Sequence, residues 1–326
     1  MTPDITLDPL VYRALHTGTL GDLAFYRDVV LRGLGESQRE ARLSVLELGC
    51  GAGRLALPLW ALGADVVGVD LHEGLLELAR AERARQLKAS ERDSEGYSEA
   101  HPADVNIDDR GDLTLSLRDF TALSLEDLPG APSRGFDLIL LPYNGLYCLP
   151  DEESQRRCLQ GLVPLLAPGG SVWVDGYALP DPDEYAYESE EDFSPLTVIE
   201  LPYGHIADQD KSEARALGVE ERDIFDLERQ RLEIHYRYLA EPERAAVEPL
   251  HQRCEVIEHR YLYPWQLPTL GASAGLKLEA LYADFGAELD RDLGVELGVD
   301  LSESALRALP WGVELEHWVA RYSRDS

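Results

Sequence analysis

The sequence predicts an α/β fold in which a mostly parallel β-sheet carries helices on both faces. Three observations lead to this prediction: short apolar runs alternate with amphipathic stretches, the joints between them are short, and a loop with three glycines follows the first apolar run. Such alternation is typical of parallel sheets that are covered by helices. The 326 residues, 44% of them hydrophobic, are sufficient for a large core.

The predicted core lies between residues 41 and 177, after two short amphipathic helices in residues 1–40. Its strands are predicted in ARLSVLELG, ADVVGVD, DLTLSLRDF, FDLILLPYNGL and SVWVDGY. Its helices are predicted in RLALPLWALG, EGLLELARAERARQLKA and DEESQRRCLQGLVPLLAPGG. We therefore expect five strands, with the helices that cover them, before residue 178.

The pattern changes after residue 177. In residues 178–264, QRLEIHYRYL and CEVIEHRYLYP alternate apolar and polar residues, as an antiparallel pair with one solvated face does. We interpret this region as an insertion that forms an antiparallel substrate cap. Residues 265–326 contain a short helix and two strands, LKLEALYADF and GVELEHWVARY, that are expected to complete the core sheet.

The charge of the chain is strongly negative, with 61 acidic and 30 basic residues and a net charge of −31. This field disfavours nucleic acid and favours a neutral or cationic small ligand, although acidic surfaces also serve solubility or salt adaptation. No apolar run approaches the roughly 18 residues of a membrane span, and no signal peptide is evident. With four scattered cysteines, we expect a cytoplasmic protein with no membrane partner; its oligomeric state stays open.

The glycine loop lies in VLELGCGAGRLA, where Gly49, Gly51 and Gly53 follow a predicted strand. A strand, a glycine-rich turn and a helix N-terminus together indicate a nucleotide site. Dinucleotide enzymes require G-x-G-x-x-G, but Arg54 stands at the third glycine position here. Glu47, two residues before the first glycine, would repel an anion and suits a ligand with a cationic amine and a sulfonium.

The segment VLELGCGAGRLALPLWALGADVVGVDLHEGLLELAR resembles motif I and its continuation in the class I S-adenosylmethionine-dependent methyltransferases. The similarity extends through LRDFTAL, FDLILLPYNGLYCL and LAPGGSVWVD, and so covers roughly residues 40–177. The resemblance implies a Rossmann-like fold with a mostly parallel seven-stranded sheet, S-adenosylmethionine as cofactor, and an N-terminal helical lid.

The same resemblance implies the roles of individual residues. Glu47 would orient the methionine end of the cofactor, and Asp70 would accept hydrogen bonds from both ribose hydroxyls; the alternative for Asp70 is a helix N-cap. Asp119 and Phe120 would meet the adenine, the alternative being a turn cap and a core aromatic. The implied cofactor-binding residues are Glu47, Gly49, Gly51, Gly53, Asp70, Leu71, Asp119, Phe120, Leu141, Pro142 and Tyr26.

The acceptor side is expected after the fourth strand, where Tyr143 and Asn144 would face the substrate. This segment lacks the Asn/Asp-Pro-Pro-aromatic signature of nucleic-acid base methyltransferases, which again disfavours nucleic acid. His205 and His235 are candidate general bases, although a lone histidine is more often structural. No metal is expected. Nearby tyrosines either hold a cationic amine or pack the cap.

These observations predict methyl transfer to a nitrogen or oxygen atom of a small molecule. Two alternatives stay open at this point. One is methylation of a basic protein or peptide, and the other is a regulatory protein that binds S-adenosylmethionine without catalysing transfer.

Overall fold

The computed structural model describes residues 8–35, 42–94, 110–182, 193–201, 215–239, 252–285, 295–298 and 300–325. The chain divides into two compact units. The first, here called the core unit, consists of Gly18–Leu146, Asp151–Asp181 and Leu262–Ser326. The second, the antiparallel unit, consists of Met1–Thr17, Tyr147–Pro150 and Pro182–Tyr261.

The strands and helices are numbered in chain order. The strands are β1 (Ser44–Leu48), β2 (Asp65–Asp70), β3 (Leu113–Leu117), β4 (Phe136–Leu141), β5 (Leu166–Tyr177), β6 (Thr197–Leu201), β7 (Arg215–Asp226), β8 (Arg231–Leu239), β9 (Gln252–Arg260), β10 (Leu276–Ala283), β11 (Val295–Glu296) and β12 (His317–Arg324). The helices are α1 (Pro9–Leu15), α2 (Asp22–Gly35), α3 (Ala56–Ala61), α4 (Glu73–Ser94), α5 (Glu152–Leu162), α6 (Leu267–Ser273) and α7 (Glu303–Arg307).

The core unit contains one sheet with the strand order β11-β10-β12-β5-β4-β1-β2-β3. The five strands from β3 to β5 run parallel, whereas β12 pairs antiparallel with both β5 and β10. The predicted mostly parallel seven-stranded sheet is therefore confirmed, and the two-residue β11 adds a short edge strand to it.

The central strand β1 places a carboxylate inside the core. All five residues of β1 are buried, because β1 pairs on both sides, with β2 and β4. Alternate residues of a strand share a face, so Glu47 shares a face with Val45. Val45 packs in one cluster with Phe25 and Tyr26 of α2 and with Trp173 of β5. The face of the sheet that α2 covers is thus also the face on which Glu47 lies.

Two predicted helix boundaries differ from the structure. The helix predicted through residue 170 ends as α5 at Leu162, and β5 begins at Leu166. Pro164 contributes to this early end, because proline has no N–H to continue the α-helical hydrogen bonds, and the chain passes through a 3-10 turn at Val163–Leu165 before β5. In the other direction, α4 extends to Ser94, beyond the predicted helix. The acidic stretch that follows α4 is outside the described residues until position 110.

The antiparallel unit contains the sheet β6-β7-β8-β9, in which every neighbouring pair is antiparallel. The antiparallel insertion is therefore present, with β6 and β7 in addition to the predicted pair. Val11 of α1 packs against Val219, Tyr236 and Tyr238 on one face of this sheet. The N-terminal segment is accordingly divided, since α1 belongs to this unit and α2 to the core unit.

Helices of membrane-spanning length and hydropathy do not occur in the part of the chain that the structure describes.

Candidate functional site

The glycine loop connects β1 to α3 and is fastened to the end of β2. The N–H groups of Gly49 and Cys50 both donate to the carbonyl oxygen of Val69, at 2.8 and 3.0 Å. Asp70, the last residue of β2, accepts from the Gly51 N–H through Oδ2 at 2.8 Å and from the His72 N–H through Oδ1 at 2.8 Å. The half-buried Asp70 carboxylate therefore lies at the carboxyl edge of the sheet, beside the loop.

Asp70 is not the N-cap of the following helix. That position is taken by His72, whose backbone carbonyl oxygen accepts from Leu75 and Leu76 and whose Nδ1 accepts from the Leu75 N–H. Burial raises the pKa of the Asp70 carboxyl, against the N–H donors of His72 and Gly51, which lower it. Each oxygen of Asp70 keeps lone pairs that a hydroxyl group can still use.

The three glycines of the loop have different structural surroundings. All three have positive φ, which favours glycine, but only Gly49 faces open space, with no atom within 4 Å of a Cβ built there. At Gly53 a Cβ would lie 3.0 Å from Leu57 and 3.1 Å from Ala79, so this glycine allows α3 and α4 to pack closely. The room for a ligand is therefore at Gly49, and Gly53 serves the fold.

Glu47 is the most unusual titratable group of the loop. It is only 2% exposed, and burial raises the pKa of its carboxyl from 4.5 to about 8. The nearby Arg54 and the backbone N–H of Ala56 act in the opposite direction. Oε2 has no hydrogen-bond partner among the described residues. A buried carboxylate oxygen without a donor is costly unless a ligand supplies one.

The remaining predicted cofactor residues lie at strand ends of the same sheet edge. Asp119, after β3, accepts from the N–H and the hydroxyl of Thr121 at 2.9 and 2.7 Å, which is the turn-cap geometry. Phe120 is half-buried and Leu71 is 47% exposed. Leu141 and Pro142 are buried at the end of β4. Their roles toward a cofactor stay predictions.

The segment after β4 has an uncommon backbone. Tyr143 and Asn144 have φ values of 53° and 60°, in the left-handed region that non-glycine residues rarely adopt. Asn144 is held twice: its N–H donates to Asp175 Oδ1 at 3.2 Å, and its Oδ1 accepts from the Tyr177 N–H at 2.9 Å. Such strain persists only where surrounding contacts enforce it, and it occurs preferentially at functional sites.

Asp175, near the end of β5, is a buried carboxylate that was not among the predicted site residues. It is 2% exposed and accepts from the Tyr26 hydroxyl through Oδ2 at 2.5 Å. Burial raises its pKa from 3.8 to about 7, although Tyr26 and the Asn144 N–H lower it. Tyr26 itself is fully buried, and its role toward a cofactor stays a prediction.

Arg54 is a second residue whose role the sequence did not reveal. Its guanidinium makes two bonds to Asp22 of α2, at 2.8 and 2.7 Å, and lies 5.5 Å from the centre of the Tyr143 ring. The signal available in the sequence was the replacement of a dinucleotide-type glycine by arginine. Its partner is 32 positions away, so only the folded chain identifies it.

The histidine candidates lie apart from these residues in the chain. His205 is outside the described residues. His235 lies in β8 of the antiparallel unit, with Nε2 at 2.9 Å from Glu233 Oε2. Since neighbouring residues of a strand point to opposite faces, His235 lies on the face opposite Tyr236 and Tyr238. Among the described residues, no three His, Cys, Asp or Glu side chains are placed to hold a metal ion.

Comparison with known proteins supports the interpretation of the glycine loop. Residues 45–108 match a family described as a methyltransferase domain. A ubiquinone biosynthesis O-methyltransferase of Mesorhizobium japonicum is 38% identical over 167 residues, which are 50% of this chain and 54% of that protein. The chain therefore spans about half the length of this curated relative.

Two solved structures resemble the whole chain. The CcbJ methyltransferase from Streptomyces caelestis has 22% identity and a TM-score of 0.56, with 98% of this chain and 100% of that chain covered. A sugar N-methyltransferase from a Streptoalloteichus species has 16% identity and a TM-score of 0.54, with 95% and 90% covered. At these identities the similarity establishes the fold.

The sheet order and the loop define a Rossmann-like class I methyltransferase fold. Together with the match over residues 45–108 to a methyltransferase domain, they confirm the methyltransferase fold that the sequence predicted.

Proposed function

We propose that this protein transfers the methyl group of S-adenosylmethionine to a nitrogen or oxygen atom of a small molecule. The observation that carries the proposal is the buried Glu47, with an oxygen that has no donor among the described residues, beside the open space at Gly49. An ammonium group is the donor that such a carboxylate requires. A phosphate in the same place would oppose the ionisation of Glu47, whereas an ammonium group favours it.

The residues present fit this cofactor along one sheet edge. Glu47 would bind the amino group, Asp70 would accept the two ribose hydroxyls, and Asp119 with Phe120 would bind the adenine. Leu71, Leu141 and Pro142 would line the remaining length. When bound, S-adenosylmethionine supplies an electrophilic methyl group on a good leaving group.

The protein then has mainly to position the acceptor and exclude water. Tyr143 and Asn144 at the end of β4 are proposed for that positioning, because their conformation is fixed by contacts from β5 and Arg54. A proton acceptor is needed only if the nucleophile arrives protonated. His205 and His235 remain the proposed candidates for that role.

Similar proteins favour a small acceptor, since they include a ubiquinone biosynthesis O-methyltransferase and a sugar N-methyltransferase. We further propose that the acceptor is cationic or neutral. The net charge of −31 attracts cations and disfavours an anionic acceptor.

The test is a binding experiment followed by turnover. Isothermal titration of the purified chain with S-adenosylmethionine should show one saturable site. Incubation with panels of amines, phenols and cationic peptides should then yield S-adenosylhomocysteine for one class of small acceptor. The absence of binding would remove the proposal, turnover on peptides alone would favour a protein substrate, and binding without any turnover would favour a regulatory protein.

The pKa of Glu47 leads to a specific prediction for binding. Near pH 7 a carboxyl with a pKa of about 8 is mostly protonated, and an ammonium group placed against it favours the ionised form. Binding of S-adenosylhomocysteine, which retains the amino group, should therefore release close to one proton at about pH 7 and much less above about pH 9.

Titrations at one pH in buffers of different ionisation enthalpy measure this release. Glu47→Gln should abolish the buffer dependence, whereas Glu126→Gln, which removes an exposed carboxyl, should preserve it. A wild-type binding enthalpy that is the same in all buffers would contradict the proposed contact between Glu47 and the amino group.

A further inference from the structure

Helix α2 carries two buried polar side chains that reach different strand ends. Asp22 and Tyr26 are four positions apart and therefore lie on the same side of the helix, one turn from each other. Asp22 is 3% exposed and Tyr26 is fully buried. Asp22 binds Arg54 of the glycine loop, and Tyr26 binds Asp175 of β5. Helix α2 is thus connected both to the glycine loop and to β5, at the sheet edge where the candidate site lies.

The first connection leads from Asp22 through Arg54 to Tyr143. The Asp22 side chain is 4% exposed and that of Arg54 27% exposed, so their two-bond ion pair is largely shielded from water. Gly18, just before α2, closely approaches the guanidinium: a Cβ there would be 2.2 Å from Arg54 Nη1. The guanidinium is therefore fixed from two directions, and its Cζ lies over the Tyr143 ring, 5.5 Å from the ring centre.

The second connection leads from Tyr26 through Asp175 to Asn144. The Asp175 carboxylate accepts from the Tyr26 hydroxyl through Oδ2 and from the Asn144 N–H through Oδ1; Asp175 and Tyr26 are buried, and Asn144 is half-buried. Asn144 in turn accepts from the Tyr177 N–H. The two connections therefore end on adjacent residues, Tyr143 and Asn144, both of which have left-handed backbone. This conformation is strained for a residue other than glycine, so contacts of this kind are needed to hold the pair.

We propose that Asp22, Arg54, Tyr26 and Asp175 are positioning residues through which α2 fixes the conformation of the Tyr143–Asn144 pair. Its consequence for catalysis rests on the proposed function, because Tyr143 and Asn144 are there the acceptor-side residues. A displacement of about 1 Å at such a position can reduce turnover by about 100-fold. Helix α2 thus positions the acceptor-side residues, while Glu47 and Asp70 bind the cofactor.

Amide hydrogen exchange of the full chain tests the proposal. The probe is the peptide that spans residues 142–148, which contains the Asn144 N–H. Tyr26→Phe and Asp22→Asn alter side chains that are distant in sequence from this peptide and have no hydrogen bond to it. Each should accelerate its exchange about fivefold or more, as expected for the loss of about 1 kcal/mol of local stability.

Tyr322→Phe is the matched control. Tyr322 is also buried, and its hydroxyl donates to the Leu267 carbonyl oxygen at 3.1 Å, so this variant loses one comparable hydrogen bond elsewhere in the core unit. It should leave the exchange of residues 142–148 at the wild-type rate. Unchanged exchange in Tyr26→Phe and Asp22→Asn, or equal acceleration in Tyr322→Phe, would overturn the proposal.

Affinity for S-adenosylhomocysteine, measured on the same variants, separates this proposal from the proposed function. We expect the affinity of Asp22→Asn to remain within about threefold of wild type, since Asp22 is not among the predicted cofactor-binding residues. With an acceptor identified by turnover, kcat should fall about tenfold or more in Asp22→Asn while the KM for S-adenosylmethionine changes little. Wild-type protein that does not bind S-adenosylhomocysteine would refute the proposed function and leave the exchange result interpretable.

Discussion

Replacing Asp70 by alanine is expected to lower the affinity for S-adenosylhomocysteine by about 100-fold or more. The variant lacks the carboxylate and with it two hydrogen bonds from the ribose hydroxyls. Hydrogen bonds to a charged group contribute about 1.5–3 kcal/mol each. The variant also lacks the hydrogen bonds that the Asp70 carboxylate accepts from the N–H groups of Gly51 and His72, which hold the glycine loop beside β2. Isothermal titration with S-adenosylhomocysteine measures the effect directly.

The matched control for this prediction lies at the other end of the same strand. Asp65, the first residue of β2, also accepts a backbone N–H, that of Asp112 at 2.9 Å, but at the edge of the sheet away from the glycine loop. Asp65→Ala should therefore change the affinity by less than about threefold. Asp70→Asn should give an intermediate loss, because the amide keeps one acceptor oxygen. Equal affinities for Asp65→Ala and Asp70→Ala would be incompatible with ribose binding by Asp70.

The cofactor side was predictable because its information is local in the sequence. Glu47, the three glycines and Asp70 lie within 24 consecutive residues that form one strand–loop–helix–strand unit. Pairing of β1 with β2 then brings Asp70 to the loop without any further information from the chain. The apolar runs of these two strands, buried on both sides, were also the clearest signals for the parallel sheet.

The acceptor side was less predictable because its contacts connect distant positions. Asp22 and Arg54 are 32 residues apart, and Tyr26 and Asp175 are 149 apart. Neither pair produces a local pattern. The left-handed backbone at Tyr143 is likewise a product of tertiary contacts, since a tyrosine rarely adopts it, whereas asparagine, as at position 144, adopts it more readily.

Strand β7 shows why part of the antiparallel unit escaped prediction. On the face that packs with α1, Leu217 and Val219 are followed by Glu221 and Asp223, so the apolar–polar alternation stops halfway along the strand. Cross-strand pairing with β8, which retains its alternation, nevertheless continues to Asp226. Neighbouring strands thus impose the structure where the sequence pattern alone is ambiguous.

The stability of the protein should decrease as the pH rises from about 6 to about 8. In the folded chain, burial raises the pKa of Asp175 to about 7 and of Glu47 to about 8, from 3.8 and 4.5. The folded state therefore holds protons that the unfolded state has already lost. Their stabilising contribution is complete below the unfolded pKa values and is lost as the pH rises through the folded ones.

Over this pH range the two groups together should reduce the free energy of unfolding by about 4 kcal/mol, with the larger part from Glu47. The midpoint of thermal unfolding should fall by about 6 °C, since the entropy of unfolding of a chain of this length is about 0.7 kcal/mol per degree. Glu47→Gln and Asp175→Asn should each flatten the dependence, while Glu126→Gln, an exposed position, should reproduce the wild-type slope. If both buried variants kept the full slope, the decrease would come from the general negative charge of the surface rather than from these two carboxyls.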